Sequence, residues 1–219
     1  MTRYDAVPLL ALIREAETRR KDASAYLTIY GHKEGKLAKP LTSMTLAEIQ
    51  AAQAAWSKNY GSSAAGAYQV LRATLKDLIA SMRLAGSFQF TPQLQDEIGY
   101  ELLRRRGFED FLAGKINRVQ FGKALAQEWA SFPVLGNTDG QSRKVERGQS
   151  YYAGDGLNRA LIAPERVEDV LSIIAAASKP DPGPDQLVPA PAKKPANKAG
   201  LIIVALIIIA AIAFFIIKH

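Results

Sequence analysis

Cysteine is absent from all 219 residues, which removes disulfides, thiolate zinc sites and thiol nucleophiles at once. Histidine is almost as scarce, with His32 and the terminal His219 the only two. A zinc hydrolase needs two or three clustered His or Cys ligands, and a Ser-His-Asp triad would have to rest on His32, yet no G-x-S-x-G elbow is present. Phosphate cradles of the G-x-x-x-x-G-K-[ST] and G-x-G-x-x-G types are missing too. No metal and no cofactor is expected, and the chemistry left open is that of carboxylates, or none.

Apolar residues make up 48% of the chain, enough for a core, and the net charge is +7. Part of that charge sits beyond residue 178, and the milder excess before it suits an anionic polymer such as nucleic acid, lipid headgroups or cell wall without choosing among them. Charge alone supports nucleic acid, so it is not expected as a partner. The run Arg104-Arg105-Arg106 resembles a phosphate clamp, but it closes a helix just before Gly107, where cations answer the helix dipole.

The stretch IREAET, residues 13–18, holds two glutamates with different surroundings. On a helix over 9–20, Leu9, Leu10, Leu12, Ile13 and Ala16 form an apolar arc that includes Glu17 and leaves Glu15 outside. A carboxylate beside an apolar face loses water, its pKa rises, and it can hold a proton near neutral pH as a general acid must. The alternative is a rim glutamate paired with Arg20 or Lys21.

The rest of the globular part, residues 1–178, is expected to be mainly helical. Ala25–His32 (AYLTIYGH) alternates aromatic and β-branched residues before KEGK, the pattern of a short hairpin or extended loop, with Tyr26 and Tyr30 on one face. Thr45 with Glu48 forms a capping box opening a helix to about Asn59. Gly66 to Leu84 sets Tyr68, Leu71, Leu75, Leu78, Ile79 and Met82 at helical spacing, the best expected core helix, with Gln69 off that row. Thr91-Pro92, Asn117 and Pro164 each open a further helix, and Pro133 stops the one after Asn117. The loop from Leu135 to Asn158, with Tyr151, Tyr152, Asp155 and Asn158, is long enough for a lid.

Residues 1–10 do not look like a signal peptide, so synthesis is expected to leave the product in the cytoplasm. Leu201 to Ile217 is an uncharged apolar run without a polar face, which is expected to form a membrane span. Residues 179–200 hold six of the eleven prolines and read as a tether. Lys193, Lys194 and Lys198 before the span outnumber Lys218 after it, which favours a folded domain on the cytoplasmic side.

Three stretches, GSSAAGAYQVL (61–71), SFQFTPQLQDEIGYELLRRRG (87–107) and EWASFPV (128–134), together resemble lambda-type phage lysozymes and the related phage muramidases, in that family's order. The resemblance covers about residues 9–135. It implies an α+β, lysozyme-like fold of helices with a small β-hairpin, and it maps the family's catalytic glutamate onto Glu17. The implied activity is cleavage of the β-1,4 bond between N-acetylmuramic acid and N-acetylglucosamine in peptidoglycan, with Tyr26, Tyr30, Tyr68, Gln69 and Tyr151 as substrate-binding candidates. For Tyr68 core packing is an equal alternative, and strand packing is for Tyr26 and Tyr30. A second carboxylate is not evident: Asp22 reads as a helix-end or turn residue, and Leu27 stands where relatives carry Asp or Asn. Both hydrolysis and lytic transglycosylation therefore stay open. A holin-like partner would release such an enzyme from the cytoplasmic side. The alternative from another class is a membrane-anchored protein that binds glycan without cutting it.

Overall fold

The computed structural model describes residues 6–178. The first helix, α1 (Val7–Thr18), carries Pro8 in its first turn, where a missing N–H costs nothing, and buries Leu9, Leu10, Leu12, Ile13, Ala16 and Thr18. It stops at Arg19, which adopts a left-handed conformation with φ 58°.

Where a short hairpin or extended loop is expected, residues 23–43 form a chain of 3-10 turns. The Asp22 side chain accepts from the Ser24 N–H at 2.9 Å and turns the backbone at once. That is the turn role expected of it. Farther on, Gly31 and His32 both take positive φ, 67° and 55°, which breaks any extended run after Tyr30. Ile29 alone keeps a strand-like pairing, a single antiparallel bridge to Ala65.

Helix α2 (Leu46–Tyr60) begins at the complete Thr45/Glu48 capping box. It packs on α3 (Arg72–Ser81), which starts six residues later than the spacing suggests. Residues 65–70 fold instead into a tight turn: Ala65 and Val70 exchange both backbone hydrogen bonds, at 3.2 and 2.9 Å, and Gly66 and Gln69 take φ of 75° and 47°. A helix cannot pass through two left-handed residues, so the row from Tyr68 to Met82 is split between turn and helix.

Helix α4 (Pro92–Arg105) starts at Thr91 as expected, buries Leu94, Gln95, Ile98, Gly99, Leu102 and Leu103, and is followed by the short α5 (Phe108–Leu112). Asn117 and Gln120 cap α6 (Arg118–Glu128), which Trp129 and the following turn end before Pro133. Phe111 and Phe121 stack at 4.9 Å with Phe108 beside them, and Trp129 meets Phe132, so aromatics fill the space where α5 and α6 meet.

The small sheet lies in the 135–158 loop. Strands β1 (Thr138–Asp139) and β2 (Lys144–Val145) pair antiparallel, Thr138 opposite Val145 and Asp139 opposite Lys144. The fold is thus mainly helical with one two-stranded antiparallel sheet among the described residues. Helix α7 (Pro164–Ala177) closes back on α1, and Arg166 grips Glu15 with both guanidinium arms at 2.7 and 2.8 Å. No helix among the described residues is long and apolar enough to cross a membrane; the span expected at Leu201–Ile217 and the tether before it lie outside them.

Candidate active site

Glu17 is the last residue but one of α1, and its carboxyl faces a cleft of about 490 Å³. The end of α6 and the turn after it also line the cleft, with Glu128, Trp129, Ala130 and Ser131. Tyr68, Gln69 and Val70 line it from the 65–70 turn, Tyr30 from the 3-10 region, and Leu157, Asn158, Arg159 and Leu161 from the end of the long loop and the residues just after it.

The Ser131 hydroxyl donates to Glu17 Oε1. Glu17 keeps partial exposure, yet protein surrounds it closely enough that lost hydration raises its carboxyl to about pH 7; the Glu128 charge adds to the rise, while the hydrogen bonds from Ser131 oppose it. Neither of the expected rim partners reaches it: Arg20 pairs with Glu34, and Lys21 lies 3.5 Å from Glu15. Glu128 is held by Arg106, Nε to Oε2 at 2.7 Å, and so presents a fixed negative group on the same cleft.

The turn that brings Tyr68 and Gln69 to the cleft is pinned by two fully buried glutamines. Gln95 accepts from the Ala67 N–H at 2.8 Å and donates to the carbonyls of Tyr26 and Phe90 at 3.0 and 2.9 Å. Gln53 donates to the carbonyls of Ser63 and Val70 at 2.7 and 3.0 Å. Gly66 is required between them, because a Cβ there would stand 2.4 Å from Gln95 Oε1.

The candidates divide on this geometry. Tyr68 is 2% exposed, and its hydroxyl donates to Asp96 at 2.6 Å and accepts from Arg14 at 3.0 Å. It lines the cleft as part of the core, and burial followed by the Asp96 charge pushes its phenol far up. Gln69 spends its amide N–H on the Gly66 carbonyl at 2.8 Å, bracing its own turn. Tyr30, 48% exposed, lines the cleft. Tyr26 does not line it: its hydroxyl donates to Asp96 at 3.0 Å, Arg14 lies 5.2 Å over its ring, and burial pushes its phenol up to about 12. Tyr151 is also elsewhere, half-buried against the core with Lys123 5.8 Å from its ring centre. Of the four loop residues singled out, only Asn158 lines the cleft, while Asp155 caps a local turn and the Tyr152 hydroxyl donates to the Gln127 carbonyl at 2.6 Å.

Glu128, Ser131, Arg19 and Arg159 are cleft residues that sequence reasoning missed. For the first two a signal existed, since both fall in EWASFPV, where a helix end meets a Pro-stopped turn. The Arg104-Arg105-Arg106 run is spent on Glu101, Glu109, Asp77 and Glu128, as a helix end would have it. No group of His, Asp and Glu among the described residues could hold a metal ion.

The family model described as Endolysin matches residues 18–157. The chain belongs to the Endolysin family. It is therefore a phage lysis-type enzyme acting on the cell wall, and peptidoglycan is its substrate class. No curated protein and no solved structure matches the chain. The endolysin match starts one residue after Glu17, so all of α1 except Thr18, and the whole of α7, lie outside it.

Proposed function

We propose that this endolysin cleaves the β-1,4 bond between N-acetylmuramic acid and N-acetylglucosamine, with Glu17 as the general acid. One observation carries the reading: a carboxyl enclosed by protein on a cleft, raised to about 7 and held in place by Ser131. Protonated Glu17 gives its proton to the bridging oxygen as the bond from C1 breaks and positive charge develops at C1. The Glu128 carboxylate, fixed by Arg106, supplies negative charge near that centre. The ionised Glu17 then takes a proton from the group that closes on C1. A water gives hydrolysis, and the muramic acid 6-hydroxyl gives an anhydro end. The exposed ring of Tyr30 provides a face for a pyranose.

In the full chain, residues 201–217 anchor this domain to a membrane through the 179–200 tether, on the cytoplasmic side until a holin-like partner breaches the bilayer. Support for this part is the composition of those two stretches and the lysine bias before the span. Protease added to sealed cells leaves the domain intact if it faces inward, and digests it if it faces outward.

Purified peptidoglycan treated with the protein tests the enzymatic reading. Soluble muropeptides should appear, and Glu17→Gln should reduce their release by at least about a thousandfold with folding retained. Mass analysis of the ends separates the two outcomes at C1. Release unaffected by Glu17→Gln overturns the assignment.

A further inference from the structure

Among the described residues, two arginines on the cleft have no counter-ion. Arg19 and Arg159 both line it, both are exposed, and among the described residues neither guanidinium forms an ion pair. Almost every other acidic group that could have answered them is engaged elsewhere. Glu15 is taken by Arg166 and Lys21, Glu34 by Arg20, and Glu128 by Arg106. The remaining cleft carboxyl, Glu17, is the one raised toward neutrality. A cleft with two unanswered cations attracts an anion, and a forked guanidinium matches a carboxylate in particular.

Backbone geometry supplies a second, independent observation. Arg19 holds φ at 58° as the residue that ends α1, and its N–H donates to the Glu15 carbonyl at 2.8 Å. Glycine is the least strained residue in that conformation, by about 1 kcal/mol over a residue with a Cβ. A long cationic side chain stands there instead, two residues from Glu17 and on the same cleft.

We propose that Arg19 and Arg159 form an anion subsite that selects carboxylate-bearing glycan over neutral glycan. The inference rests on the glycan-cleaving role given to the cleft above and adds the chemical class of the strand it takes. On a peptidoglycan strand the carboxylate has two sources: the free lactyl group of muramic acid where the stem peptide has been removed, or the acidic residues of the stem peptide where it is present. The same guanidinium pair fits either.

Binding by the full-length Glu17→Gln protein separates these cases without turnover. The probes are a chitin hexasaccharide with no carboxylate, peptide-stripped glycan of similar length with free lactyl groups, and the same glycan carrying stem peptides. We expect the carboxylate-bearing strands to bind about tenfold more tightly than chitin at low salt, and the preference to shrink as salt rises. Adding Arg19→Asn, which tolerates a left-handed backbone, or Arg159→Gln should cut that preference about threefold each, with a smaller effect on chitin. A preference confined to the stripped glycan assigns the lactyl carboxylate, and one confined to the peptide-bearing glycan assigns the stem. Equal affinity for all three probes, or a preference that survives both arginine changes, overturns the anion subsite and leaves the Glu17 reading standing. Failure to bind any of the three overturns the glycan reading itself.

Discussion

Ser131 and Glu17, 114 residues apart in sequence, meet in a hydrogen bond that joins the end of α1 to the turn after α6. Ser131 is the group that most opposes the rise in the Glu17 pKa. Ser131→Ala should therefore raise it further, by about one unit for the loss of a hydrogen bond to a charged acceptor. The alkaline limb of kcat against pH should move upward by that amount. A limb that stays in place would mean another group sets it.

The same carboxyl makes stability fall with pH. Folding lifts Glu17 from its ordinary 4.5 to about 7, so between those values the unfolded chain has released a proton that the folded chain still holds. Stability from this group is present below pH 4.5, declines through the window and is lowest above 7, by on the order of 3 kcal/mol. Glu17→Gln removes the charge and keeps the shape. Its melting temperature should exceed the parent's by several degrees at pH 8.5 and match it near pH 5. A parent protein more stable than the variant at pH 8.5 would contradict the enclosure described for this side chain.

Gln95, itself fully buried, holds three backbone groups. Gln95→Leu leaves the Ala67 N–H and the carbonyls of Tyr26 and Phe90 without that partner, which should cost about 2–4 kcal/mol in urea unfolding. Activity should drop as well, because the 65–70 turn shapes one side of the cleft.

Gly99 is the point where α4 meets the Tyr68 ring. A Cβ there would lie 2.8 Å from two of the ring carbons, so Gly99→Ala must push the ring and its Asp96 hydrogen bond aside. A loss of about 1–3 kcal/mol is expected. Substitution at Gly114, which has open space around it but a φ of 71°, should cost only the backbone term of about 1 kcal/mol.

Local chemistry made the helix starts readable. The Thr45/Glu48 box, Thr91-Pro92, Asn117 and Pro164 each satisfy or remove backbone N–H groups within a few residues, and each opens a helix in the structure. The wheel that put Glu17 on the apolar arc needed only one helix. Failures came where distant residues decide. Ala25–His32 alternates like a strand, but only Ile29 finds a bridging partner, at Ala65. Tyr68 shares helical spacing with Leu75 and Leu78, yet Gln53 and Gln95, from two other helices, hold its segment in a turn. Tyr26 and Tyr151 looked suited to a sugar and instead serve packing. Glu128 meets Glu17 only through the fold, and no spacing encodes that encounter.

The clasp between Glu15 and Arg166 ties the first helix to the last, two positions before the proposed acid. Whatever pulls on the C-terminal end of α7 thus acts on the helix that carries Glu17. On the proposed reading, a load applied at that end would reach the acid-bearing helix through this one joint.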